Sequence, residues 1–235
     1  SRVYFDVDLG SNNGTHLQPS RMPDGTLYSE EFKLGSPYEK FEDTDLRKKP
    51  FKYFGSGSYE GMFLVGPQIS PITGEQVIGN EEYNGKPLEF VDKVGRFSEI
   101  GSTYSSIEDI PSNIGAGEEN TGIRLVKIPV PSSQDLTLRW AADHPVFRLA
   151  EVYLMLAECQ LRLGEEAEAA ELINTVRQRA FEGGNDPNPA SAGNLDLYRM
   201  ADEWGIEFLG EGRRRTDLIR LGFFTTEKWW DHSPS

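Results

Sequence analysis

The sequence predicts a mainly α protein, in which a helical hairpin scaffold carries a loop-rich half of short strands packed on it. Two observations predict this. Of the 24 Gly and 14 Pro, 16 Gly and 10 Pro fall in residues 1–142; so many chain breakers exclude long helices there. From residue 143 to 222 the apolar residues recur instead at helical spacing. Residues 223–235 form a tail.

Along the first half, Val3-Tyr4-Phe5-Asp6-Val7-Asp8-Leu9 is β-prone and reads as a short strand, followed by turn-rich loops at 10–15 and 19–25. Further strands are expected at Phe51–Phe54, Met62–Val65 and Ile123–Ile128, the last ended by Pro129. In the second half, Asp143 can cap a helix and Pro145 suits its first turn, where a missing N–H costs nothing. Leu149, Val152, Leu156, Cys159 and Leu163 make one apolar stripe. Ala150, Tyr153, Leu154, Ala157 and Leu161 make a second, so this helix is expected to pack on two sides, with Cys159 buried. Gly164 suits the left-handed position that ends a helix. A second helix starts at Glu165, with Ala167, Ala170, Ile173, Val176 and Ala180 on its apolar side, and Gly183-Gly184 stops it. Two helices joined by so short a turn, with small residues at the crossing, make a tetratricopeptide-like hairpin. After a loop over 185–194, Asn194 is a candidate cap for a third helix carrying Leu197, Met200, Ala201, Trp204, Ile206, Phe208 and Leu209. Gly210 and Gly212 interrupt it, and a last helical segment over 213–221 ends at Gly222.

Composition narrows the function. A formal charge of −14 repels phosphate backbones, which argues against a nucleic-acid partner. One cysteine excludes an intrachain disulfide framework and a multi-cysteine metal site. No run approaches the roughly 18 apolar residues of a membrane-spanning helix. Asp6-Val-Asp8-Leu-Gly10-Ser-Asn12 begins like a calcium loop, but Gly10 and Leu17 stand where that pattern needs Asp or Asn and Glu. Histidines at 16, 144 and 232 are too scattered for a zinc site or a triad. Neither a metal nor any other cofactor is therefore expected.

The charges of the helical half have two readings. Arg148, Glu151, Glu158 and Arg162 share one helical stripe, with Arg148–Glu151 and Glu158–Arg162 spaced to pair. Glu203, Glu207, Glu211 and Arg214 share another, and Asp217 and Arg220 follow. A glycosidase would use two such carboxylates as acid and base or nucleophile. A catalytic acid, however, needs an apolar pocket that raises its pKa, and neighbouring arginines lower it. Structural ion pairing between packed helices is the expected role of Arg148, Glu151, Glu158, Arg162, Glu207, Glu211, Asp217 and Arg220, and no catalytic residue is assigned.

Two stretches are specific, and a third accompanies them. One is Asp143-His-Pro-Val-Phe-Arg148-Leu-Ala-Glu151-Val-Tyr-Leu-Met-Leu-Ala-Glu158, continued by Ile173-Asn174-Thr-Val-Arg177-Gln-Arg179-Ala180. Another is Trp204-Gly-Ile-Glu207-Phe-Leu-Gly-Glu211-Gly-Arg213-Arg-Arg-Thr-Asp217-Leu-Ile-Arg220-Leu-Gly222. The third is Tyr38-Glu-Lys-Phe-Glu-Asp43-Thr-Asp45-Leu-Arg47. Taken in chain order, 38–47 first, they resemble the carboxy-terminal portion of the SusD/RagB family of Bacteroidetes outer-membrane nutrient-binding lipoproteins. The resemblance implies a partial α-solenoid-like SusD fold. Residues 1–142 would be the ligand face, 143–222 the scaffold with the family signature, and 223–235 a truncated family terminus.

It further implies non-catalytic binding of oligosaccharide, or in some branches peptide, at the cell surface. The ligand would pass to a SusC-like TonB-dependent transporter. A lipid anchor is expected on an amino-terminal half of the same protein, which is a further partner. Glycan sites combine flat aromatic faces with amide and charged side chains. In relatives a loop ahead of the acid–arginine segment contributes to the pocket, which points to Asn12, Asn13, His16, Gln18, Arg21 and Tyr28, with Tyr59 next, beside Tyr53 and Tyr104. Two rivals remain: a tetratricopeptide-like protein-interaction module without a sugar site, and a glycoside hydrolase.

Overall fold

The structure is a computed structural model that describes residues 37–55, 58–70, 73–80, 83–91, 95–111, 117–127 and 146–226. The strand expected at Val3–Leu9, the loops at 10–15 and 19–25, and the Asp143 and Pro145 signals lie outside those residues. Among the described residues six short strands come first: β1 (Lys52–Gly55), β2 (Ser58–Glu60), β3 (Phe63–Leu64), β4 (Gly66–Pro67), β5 (Glu89–Phe90) and β6 (Arg124–Leu125). Four helices follow: α1 (Leu149–Leu163), α2 (Glu166–Arg177), α3 (Leu197–Glu207) and α4 (Arg214–Leu221). The strands pair antiparallel as β1–β2, β3–β6 and β4–β5, and among the described residues they join into no larger sheet. The fold is thus a helical scaffold with a loop-rich, short-strand half packed on it.

The hairpin of α1 and α2 forms around small residues. Ala157 and Ala169 are fully buried and Ala150 and Ala170 nearly so, which lets the helices approach closely while Leu154 and Ile173 fill the seam. Gly164 takes the left-handed conformation at φ 82° and ψ 22°. Its successor Glu165 donates from N–H to the Gln160 carbonyl at 2.9 Å, closing the helix end. Met200, Trp204 and Phe208 complete this core from α3 and the turn after it.

Several local expectations are corrected. α1 starts at Leu149, not near Pro145: Val146 and Phe147 lie outside it and Arg148, at φ −119° and ψ 150°, is extended. The Arg148 side chain is committed to Glu207 at the end of α3 and to Glu211 in the turn beyond it, and that tertiary pairing outranks the local start signal. Only one of the two stripes on α1 is buried. Leu149, Val152, Leu156 and Leu163 are about half to three-quarters exposed, and Cys159 beside them is exposed rather than buried, because no described element packs on that side. α2 gives way at Gln178–Ala180 to a tighter 3₁₀ turn, ahead of the expected stop at Gly183. The cap of α3 is Asp196, whose carboxylate accepts from the Arg199 N–H at 2.8 Å; Asn194 instead closes its own loop by accepting from the Ser191 N–H at 2.8 Å.

The strand half has its own core. Phe63 is fully buried at its centre, with Tyr38 and Phe41 edge-on at ring separations of 5.0 and 5.2 Å. Met62, Ile123 and Leu125 close around it, and Ile206 and Leu209, from α3 and the turn that follows, pack against the same cluster. α3 therefore serves both cores. A direct link runs beside it: the Leu46 N–H donates to the Ala180 carbonyl at 2.8 Å.

Candidate functional site

Where the two halves meet, an arginine–carboxylate network forms around the end of α3. Glu207 is its centre. One carboxylate oxygen accepts from Arg148 and from Arg179, each at 3.0 Å, and the other from Arg47 at 3.0 Å. Its position on α3 is fixed by burial of Trp204 and Phe208 on neighbouring turns. Arg47 is aimed by Asp45, which accepts from its Nε at 3.0 Å and from a terminal nitrogen at 2.7 Å in a two-pronged pair. Arg179 is aimed from the 3₁₀ turn after α2, its Nε donating to the Val176 carbonyl at 2.9 Å. Glu211 holds Arg148 the same two-pronged way, at 2.9 and 2.8 Å. Lys127, just past β6, donates to the Glu207 carbonyl at 2.8 Å and pairs with Glu211 at 3.2 Å.

The electrostatics follow from the count of partners. Burial pushes the Glu207 carboxyl up, but Arg47, Arg179, Arg148 and Lys127 together hold it below the ordinary carboxylate value. Burial pulls the Lys127 ammonium down, and Glu211 and Glu207 oppose this only in part. For Arg148, burial opposes the charge but Glu211 and Glu207 more than offset it, so its pKa rises. Its guanidinium also lies 4.4 Å from the centre of the Phe208 ring. Glu207 and Glu211 are therefore spoken for as ion-pair partners, and a carboxyl held low by three arginines is a poor proton donor near neutral pH.

Beside the network lies a cleft of about 510 Å³, within the ~300–1,000 Å³ typical of small-molecule sites. One wall is the β1–β2 side: Leu46, Arg47, Lys49, Tyr59, Glu60, Gly61 and Met62. The other is Val126, Lys127, Arg179, Ala180 and Glu207. Gly61 is needed at its position. Its φ is +66°, and a Cβ there would stand 2.1 Å from the Lys49 carbonyl oxygen. Tyr59 is 43% exposed, with its ring tilted by 34° against Phe51 at 6.0 Å. It offers an aromatic face that the protein itself does not fully cover.

Of the residues singled out from sequence, Tyr59 stands in this cleft. Asn12, Asn13, His16, Gln18, Arg21 and Tyr28 lie outside the described residues. Tyr104 is half-buried in a separate turn bridged to Ile100, and is no part of the lining. Arg148, Glu207 and Glu211 come together as described. Arg148 and Glu151 do not: Arg148 precedes the helix with extended backbone, so the i,i+3 spacing does not bring the side chains together, and Glu151 pairs with Arg213. Glu158 pairs with Arg162 at 3.0 Å and also with Arg220, which reaches Asp217 at 3.1 Å. Arg213 and Arg220 further lie over the Trp204 ring, at 4.5 and 5.2 Å. Lys49, Lys127 and Glu60 were not singled out from sequence. Lys127 had a signal, since it lies in the β-prone stretch Ile123–Ile128; Lys49 and Glu60 had none, because they reach one cleft only through the fold.

A helical scaffold, short strands in pairs and an arginine network joining them define the class as a helical scaffold carrying a loop-rich half. Comparison with known proteins makes this specific. The model of the SusD family matches residues 13–234, and the chain belongs to that family. It is 44% identical over 90 residues to the starch-binding protein SusD of Bacteroides thetaiotaomicron, covering 38% of this chain and 15% of that protein. It is 47% identical over 81 residues to the SusD-like protein P25 of Formosa agariphila, covering 33% of this chain and 15% of the relative. The SusD-like protein P38 of the same organism is 27% identical over 145 residues, or 52% of this chain and 27% of the relative. The chain thus spans well under two thirds of these relatives' own lengths at the matched stretches.

Proposed function

We propose that this chain is the carboxy-terminal part of a cell-surface protein that binds oligosaccharide without cleaving it and delivers it to a SusC-like TonB-dependent transporter. Membership of the SusD family, with one relative named for starch binding, supports glycan as the ligand class. The single observation that carries the reading within the chain is the cleft beside Glu207, with Tyr59 in its wall. An aromatic face of this kind suits the apolar face of a sugar ring, while charged side chains around it suit the hydroxyls. Binding without catalysis is supported by the state of the carboxylates: Glu207 and Glu211 are already engaged by Arg47, Arg148, Arg179 and Lys127. Residues 12, 13, 16, 18, 21 and 28 remain proposed contributors to the ligand face, and Tyr59 is proposed to stack.

The test is calorimetry of the chain with a panel of oligosaccharides and of short peptides, with chromatography of each sugar after prolonged incubation. Saturable heat with intact sugar supports the reading; turnover of any sugar overturns its non-catalytic part, and heat from peptides alone moves the ligand class. A protein-binding role has one observation in its favour, the apolar stripe of Leu149, Val152, Leu156 and Leu163 on the outer side of α1. We read that stripe as the surface against which the amino-terminal half of the same protein packs, with a lipid anchor at its start holding the assembly at the outer membrane.

A further inference from the structure

We infer that the cleft between the two halves takes an anionic sugar, one that carries a carboxylate or a sulfate ester, in preference to a neutral one; this rests on the glycan-binding reading above. The chain as a whole carries −14, so an anion approaches it against a repulsive field unless the site itself reverses the sign. The cleft does so. It is lined by four cations, Arg47, Lys49, Lys127 and Arg179, against two carboxylates, Glu60 and Glu207. Both carboxylates already meet cations: Glu207 is shared by three arginines, and Glu60 is paired with Lys52 at 3.5 Å.

The cations are not equally spent. Arg47 is held by Asp45 and Glu207, and Lys127 by Glu211 and a carbonyl. Lys49 is exposed, and its ammonium has no acceptor among the described residues. Arg179 uses its Nε on Val176 and one terminal nitrogen on Glu207, while its side chain stays 57% exposed and its other terminal nitrogen has no acceptor among the described residues. The unused donors on these two side chains line the same cleft as Tyr59. A neutral hydroxyl would leave their charge unmet, whereas a carboxylate or sulfate accepts from both types of cation with charge assistance. A planar ring to stack on and a cation pair to anchor an acidic substituent together describe a hexuronate or a sulfated hexose.

The test titrates the full 235-residue chain with a trigalacturonate, a sulfated galactotriose and the neutral galactotriose, at about 50 and about 300 mM salt, spanning strong and weak screening. At least one anionic sugar is expected to bind about tenfold or more tightly than the neutral one, with affinity falling as salt rises. Which anionic arm gains identifies the substituent. Lys49→Ala is expected to cost that sugar about tenfold to a hundredfold and to flatten its salt dependence, with a smaller loss for the neutral sugar and no change in melting temperature. Equal affinity for all three sugars, or an anion affinity that Lys49→Ala does not touch, overturns the inference and leaves glycan binding standing. No binding of any of the three overturns it together with the glycan reading of this cleft.

Discussion

Replacing Glu207 with glutamine tests the idea that the network around it holds the two halves together. The glutamine keeps the shape but removes the charge that meets Arg47, Arg148 and Arg179. Breaking a fully buried ion pair on one side costs about 3–5 kcal/mol. Here the cost is smaller, because each arginine keeps something: Arg47 keeps Asp45, Arg148 keeps Glu211, and Arg179 is more than half exposed. We expect about 2–3 kcal/mol at pH 7, read as a lower urea midpoint and a drop in melting temperature of about 4–12 °C for a chain of this size. The pH dependence has a definite sign. Glu207 is held below its unfolded value, so its contribution is present above about pH 4.3 and is lost as pH falls through the lower folded pKa. The native chain should therefore lose stability across that window more steeply than Glu207→Gln. A variant within about 0.5 kcal/mol of the parent, with the same acid profile, would refute the network as a source of stability.

Leu154→Ala, at a site 1% exposed, should cost about 2–5 kcal/mol in chemical denaturation, whereas Leu156→Ala on the outer side of the same helix should cost less than about 1. Gly61→Ala forces a side chain onto the Lys49 carbonyl at positive φ, so it should destabilise the chain by more than about 1 kcal/mol and weaken any ligand of the cleft. Cys159 should react with a thiol reagent in the folded chain at close to the rate seen in denaturant; protection by orders of magnitude would return it to the core.

The helical half was largely legible because its signals are local. Gly164 has to end α1 since its place at the end of an apolar stripe and its freedom at positive φ coincide, and the alanines of α1 and α2 mark the crossing. The sequence could not say which of two apolar stripes on α1 faces inward, since both obey the same period; the choice is made by α2 and α3. It could not separate Asp196 from Asn194 as a cap, since both residue types cap and only the register of Met200 and Trp204 decides. The partner of Arg148 was beyond any spacing rule: Glu207 and Glu211 lie 59 and 63 residues away in the chain. The cleft was hidden for the same reason, since residues 46–49, 59–62, 126–127, 179–180 and 207 meet only through the fold.

One helix, with the turn that follows it, supplies both interiors. Trp204 and Phe208 belong to the helical core, while Ile206 and Leu209, interleaved with them along the chain, belong to the core around Phe63. A rod shared in this way makes the halves thermodynamically inseparable: loosening either one withdraws support from the same four side chains. Heat should melt the chain in a single step seen alike by helix and aromatic signals, and neither half can be traded between relatives as a cassette without bringing α3 along.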